Sequence, residues 1–286
     1  MMNTAPFSAV SWPEPAPYAD AIRDSMRPCL RMSHADNQDV RTENLWASRL
    51  GGLPYWAADQ DYPRDDRGRM YSFLIQLNFA GMPPLPDFPR QGLLQLFIHY
   101  PSAVIGRFTE SVSTDPDSLM SDDAINAIFS AEQYSSTAPE LLDNLTKPGL
   151  LAFELIYVPA DPTDYAFDEQ FGVDSPLNQP LPYTQPGNTM RDHRHHNKLA
   201  GRSLYTHYQQ LTEPGRGNTV GGCGRFPQRD DPRRDVPQSN WVVLLKLPGD
   251  DAFGMQWGDC QELHVFIRQE ALRRADFSTL WLYLAS

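Results

Sequence analysis

The chain has 286 residues, 41 per cent of them apolar, which is enough for a sizeable core in one large or about two ordinary domains and excludes disorder as the main state. Its 24 basic and 36 acidic residues give a formal charge of −12, so its field opposes nucleic acid and anionic membranes and favours basic partners. The 18 glycines and 26 prolines stand mostly between apolar runs, a pattern of short strands and long loops. The opening residues, Met1 to Pro6, lack the basic and apolar stretches of a signal peptide, and no apolar run reaches membrane-spanning length; a soluble, cytoplasmic protein is expected. Cys29, Cys223 and Cys260 lie far apart without a C-x-x-C, which argues against a disulfide framework and a zinc knuckle.

In chain order, the spacing of Ala19, Ile22 and Met26 before Pro28 predicts one short helix, Tyr18 to Arg27, within an N-terminal segment 1–44. Strands are predicted at Met70 to Phe79, Gly92 to Tyr100, Leu150 to Val158, Trp241 to Leu247, Glu262 to Arg268 and Thr279 to Leu284, each short and rich in branched or aromatic residues. The imperfect alternation of Glu262 to Arg268 predicts burial on both faces. Asp122 to Phe129 and Ser135 to Leu145 have helical spacing. Strands dominate, and helices decorate them.

The chain also resembles itself. Arg49-Leu50-Gly51-Gly52 reads like Lys198-Leu199-Ala200-Gly201, Tyr71 to Leu77 like Trp241 to Leu247, and Leu94 to Ile98 like Leu263 to Ile267. The change of offset between the first and second blocks places an insertion at Gln210 to Gln238, expected as a surface loop, and Thr279 to Leu284 is matched to Leu151 to Val158. The expectation is an α+β protein, mainly antiparallel β and internally duplicated. Its 45–286 domain would have halves of about 45–158 and 195–286 packed into one pseudo-symmetric body, with a few peripheral helices.

Ser48-Arg49-Leu50-Gly51-Gly52-Leu53-Pro54, Phe73-Leu74-Ile75-Gln76-Leu77-Asn78 and Pro89 to Phe97, followed by Gly254-Met255-Gln256-Trp257-Gly258-Asp259 and Asp276-Phe277-Ser278, resemble in order the blocks of the YwqG-like family, DUF1963. The resemblance covers roughly residues 45 to 286. It implies a duplicated, largely antiparallel β fold in bacterial cytoplasmic proteins without an established activity, some of them suggested as partners or immunity factors of secreted toxins. The chain departs from the family pattern at Arg202-Ser203-Leu204 and at Lys246, which stands where a second glutamine is usual.

Candidate chemistry is sparse. His193, His195 and His196, with His207 beyond, have the residue type of a metal site, but Arg191 and Arg194 repel a cation and a solvated loop is the better reading; no metal or other cofactor is assigned. The carboxylates of Asp59 to Gly68 read as a charged turn because Pro63 and Arg64 occupy positions where a calcium loop wants a ligand and glycine. Gly215 to Gly221 follows Glu213-Pro214 rather than a strand, so it is not taken as a dinucleotide fingerprint. No nucleophile motif occurs. Trp257 and Asp259, an aromatic face beside a carboxylate, together with Arg49 and Gln76, are the candidate ligand-binding residues, with a core-filling Trp257 in a tight turn as the plainer alternative. The sequence therefore points to a non-catalytic module for a basic protein partner. A metal-dependent or small-molecule-processing enzyme with its site between the halves is the alternative.

Overall fold

A computed structural model describes residues 19–35, 45–113, 115–121, 123–125, 127, 147–172, 175, 177, 208–228, 231–258 and 262–285. The predicted N-terminal helix is α1 (Ala19–Ser25), and the six predicted strands are all present, as β3 (Ser72–Asn78), β4 (Leu93–His99), β6 (Gly149–Val158), β8 (Trp241–Pro248), β9 (Glu262–Arg268) and β10 (Leu280–Ala285). Four further strands complete the sheet: β1 (Arg27–His34), β2 (Arg49–Leu50), β5 (Ala103–Thr109) and β7 (Thr219–Gly221). Two more helices, α2 (Tyr165–Phe171) and α3 (Gln269–Arg273), lie outside it. Of the other two predicted helices, the first is helical at 123–125 and 127, and Ser135 to Leu145 lies outside the described residues.

All ten strands join one antiparallel sheet in the order β10-β9-β8-β7-β1-β6-β2-β3-β4-β5. Its two edge strands, β5 and β10, close on each other, so the sheet is nearly a barrel. Gly106 permits that approach, because a Cβ there would stand 2.8 Å from the Phe277 carbonyl oxygen. The period of two along each strand divides the residues between faces. Leu94, Leu96 and Ile98 of β4 and Leu263, Val265 and Ile267 of β9 enter the main core inside the curl, with Leu30, Leu50, Val220 and Trp257. On the outer face Phe73 and Phe97 are covered by Trp56, Tyr62 and Met70, whereas Val243 and Phe266 are covered by Phe226. This double cover makes β9 buried on both faces, as its sequence predicts.

Read from either edge, the sheet has the same plan. Bulges interrupt β3 between Phe73 and Ile75 and β8 between Val243 and Leu245. Gly51 and Gly52 end β2 with φ of 62° and 72°, and Gly221 and Gly222 stand at the end of β7 with φ of 71° and 80°. Gln76 donates from Nε2 to the Leu45 carbonyl, and Lys246, on the matching strand, donates from Nζ to the Gly215 carbonyl.

The sheet order bears on three expectations and corrects two of them. The partner of Arg49-Leu50-Gly51-Gly52 by place in the sheet is Thr219-Val220-Gly221-Gly222, while Lys198 to Gly201 lies outside the described residues. Gln210 to Gln238 is not a surface loop: it carries β7 in the middle of the sheet and buries Phe226, Asp231 and Arg233. The edge strand β10 holds the place of β5 rather than β6, which pairs with β1 in the centre.

Candidate functional site

β7 ends while its neighbours continue. Its pairing stops at Gly221 opposite Cys29 and at Val220 opposite Leu245, yet β1 runs on to Arg27 and β8 reaches back to Trp241. Gly221 and Gly222 turn the chain out of the sheet in the left-handed region, and a Cβ on Gly222 would lie 2.7 Å from the Cβ of Cys29. The space beyond them is a groove of about 330 Å³, within the size range of ligand sites. Its walls come from Arg27 and Pro28, Trp241 to Val243, the 85–88 loop, the start of α2, the 236–240 turns, and Gln269 and Leu272 of α3.

One side of the groove is built on a buried ion network. Asp164 caps α2 through Ala166 N at 2.7 Å, accepts from Gly224 N at 2.5 Å, and pairs with Arg233 at 2.8 Å. Asp231 grips the same guanidinium with both oxygens, from Nε at 3.0 Å and Nη2 at 2.7 Å, and accepts from Tyr165 N at 2.7 Å. The guanidinium also lies 5.1 Å from the Phe266 ring centroid. Burial opposes the charge of Arg233, but Asp164 and Asp231 raise its pKa above the usual value. Burial drives the Asp164 carboxyl upward against the pull of Arg233. The network ties α2 and the 231–236 turn to the sheet, fixing two walls of the groove.

Toward solvent the groove carries charges of both signs. Asp87, held in the left-handed region with φ of 67°, accepts from Gln269 Nε2 at 2.8 Å and Arg273 Nε at 2.9 Å; the Arg273 bond keeps its carboxyl below the ordinary range. Glu169 is exposed and accepts from Tyr165 Oη at 2.6 Å. Val236 is an exposed apolar contact point beside them. Among the lining residues Asp164 and Arg233 are buried against each other, so the charged groups toward solvent are the carboxylates of Asp87 and Glu169 and the exposed guanidinium of Arg27.

Several buried groups of types that could do chemistry, Cys223 in the groove lining among them, serve the fold. Burial pushes the Cys29 thiol up to about 11 and the Cys223 thiol further, leaving both as neutral thiols rather than nucleophilic thiolates. Lys246 spends its ammonium on the carbonyls of Gly215 and Cys223. Glu262, its carboxyl raised by burial, pairs with Arg225 Nη1 at 2.6 Å, and His264 Nε2 accepts from Arg225 N at 3.3 Å. Burial, with Lys246 and Arg233 nearby, holds the His264 pKa well below the usual imidazole range. Among the described residues no group of three or more His, Cys, Asp or Glu could hold a metal ion. His193, His195, His196 and His207 lie outside them.

The residues singled out in the sequence fall elsewhere. Arg49 and Gln76 meet as partners across β2 and β3, both buried. Gln76 takes Tyr55 N at 2.8 Å and Gln95 Nε2 at 3.0 Å on its oxygen and donates to Leu45 and Ala47, while Arg49 donates to the Leu53 carbonyl. Trp257 is 1 % exposed inside the main core, its carbonyl accepting from Tyr100 Oη at 2.7 Å. Gln76 therefore faces the outer cover and Trp257 the inner core, and the two are not brought together. Asp259 lies outside the described residues.

The blocks that carry these positions fall within one match: the family model described as a domain of unknown function (DUF1963) covers residues 48–285. The chain belongs to the DUF1963 family. No curated protein matches the sequence. The DUF1963 match begins at Ser48, whose hydroxyl accepts from Asn78 N at 2.8 Å, and ends on β10, so it takes in both edges of the sheet but leaves out β1 at its centre. Among the described residues no helix is long and apolar enough to cross a membrane. The groove residues were missed because they come from six separate stretches. The one local signal was Asp164 before Tyr165-Ala166-Phe167, a helix-start pattern.

Proposed function

We propose that this DUF1963 protein is a non-catalytic protein-binding module, and that the groove beyond β7 is where a basic partner docks. One observation carries the reading: a preformed groove presents an exposed apolar contact, Val236, beside the carboxylates of Asp87 and Glu169, while the one thiol in its lining, Cys223, is buried. The formal charge of −12 supports it, since an acidic field accelerates encounter with a basic partner and is screened by salt. The family resemblance adds a partner type, a secreted toxin that the module would neutralise by occupancy. We read the matched plan of the two sheet halves as an internal duplication.

Co-purification from the native cells, comparing the unaltered chain with Val236→Arg, tests the proposal. Val236 is exposed, so the variant should fold, while its added cation should repel a basic partner. The expected result is a basic protein retained by the unaltered chain, lost from the variant, and associating more slowly as salt rises. A partner retained equally by both, or an on-rate independent of salt, would refute the assignment of the groove.

A further inference from the structure

A second cavity, of about 200 Å³, adjoins the groove and shares Leu85 and Phe88 with it. It lies under the connection from β3 to β4, where Phe79–Gly81 forms a 3-10 turn capped by Asn78, whose Oδ1 accepts from Ala80 N at 3.1 Å. The chain then runs through Met82-Pro83-Pro84-Leu85-Pro86. Prolines fix φ and lack an N–H, so this stretch keeps an open shape that is not drawn into strand pairing. The cavity reaches Leu30 of the main core, and Phe79, Met82 and Leu85 of that core line it.

Of its ten lining residues, Arg90 alone carries a polar or charged side chain. Arg90 is exposed and, among the described residues, makes no hydrogen bond or ion pair. No carboxylate lines the cavity. Apolar side chains around a single open guanidinium, with no acid beside it, match a ligand with a hydrocarbon body and one anionic end. Since an apolar cavity of ~150 Å³ takes benzene, the space here suits a chain of roughly six to eight carbons. We propose that this cavity binds an unbranched medium-chain carboxylate, its alkyl chain among Leu30, Phe79, Met82 and Phe88 and its carboxylate on Arg90. The site goes beyond protein docking, and neither depends on the other.

Isothermal titration of the full chain with butanoate, hexanoate, octanoate, octylamine and N-acetylleucine tests it. Each added methylene should tighten binding about fourfold until the cavity is full. Octylamine should bind more weakly than octanoate. Arg90→Gln should weaken octanoate about fivefold while leaving the gain per methylene unchanged. Ala80→Trp, which fills the cavity from an exposed lining position, should abolish binding. Thermal melts establish that each variant is folded, and if Ala80→Trp is not, Arg90→Gln with the chain-length series decides alone. Equal affinity for butanoate and octanoate, octylamine as tight as octanoate, or octanoate binding unmoved by either folded variant would overturn the proposal. Tighter binding of N-acetylleucine than octanoate would overturn it too, by making the cavity a reader of polypeptide C-termini.

Discussion

His264→Gln should flatten the acid sensitivity of this fold while leaving it intact at neutral pH. His264 is fully buried and its pKa is held well below 6.5, whereas in the unfolded chain it titrates near 6.5. As pH falls through that value the unfolded chain gains a proton that the folded chain does not, so stability is lost on the acid side. One unit below, at pH 5.5, the loss relative to pH 7.5 is about 1.4 kcal/mol. Glutamine is the replacement of choice because Gln95 holds the corresponding place on β4, donating to the Tyr55 carbonyl, and a glutamine oxygen can accept from Arg225 N as the imidazole does. Glu262 acts in the opposite sense: with its carboxyl raised in the folded state, its contribution is present at low pH and is lost as pH rises through the folded value. Because Glu262 is common to both proteins, the difference between them isolates His264. Urea denaturation at pH 7.5 and 5.5 should show the parent losing about 1.4 kcal/mol more than the variant. Equal losses, or a larger loss in the variant, would refute the assignment of a neutral buried imidazole.

Substitutions at three further residues probe the fold. Arg233→Met strands the buried carboxylates of Asp164 and Asp231 and should cost about 3–5 kcal/mol in urea denaturation; a cost below about 1 kcal/mol would contradict the network's role. Lys246→Gln should be milder than Lys246→Met, because the amide still donates toward Gly215 and Cys223 as Gln76 does toward Leu45 and Ala47, whereas methionine leaves both carbonyls without it; a methionine variant as stable as the glutamine one would contradict this. Trp257→Ala should lose about 3–5 kcal/mol of stability through its core cavity while the folded fraction still binds partner; loss of binding without loss of stability would restore Trp257 as a contact residue.

The sheet was readable wherever strands form continuous apolar runs, and harder to read where they do not. In β1, Leu30 and Met32 alternate with exposed Arg31 and Ser33, a period-two signal overshadowed by Pro28 and by two arginines. β2 has two residues and β7 three, too few for any periodicity. Those short strands also hid the correspondence of β2 with β7: Thr219-Val220 shares little with Arg49-Leu50 beyond the glycines that follow, and the correspondence rests on strand order, bulges and left-handed glycines. Gln76 was noticed for its place in a motif, but its buried role depends on Tyr55 and Leu45 arriving from elsewhere in the chain. The groove needed Arg27, Asp87, Asp164, Arg233 and Gln269 to converge, and no local pattern records that convergence.

The most direct test of the groove as the partner site is hydrogen–deuterium exchange of the protein with and without its co-purified partner. Docking beyond β7 predicts new protection at residues 164–169, 220–222 and 236–243, with the outer face of β3 and β4 unchanged. Protection confined to that other face, around Arg49 and Gln76, would contradict the account.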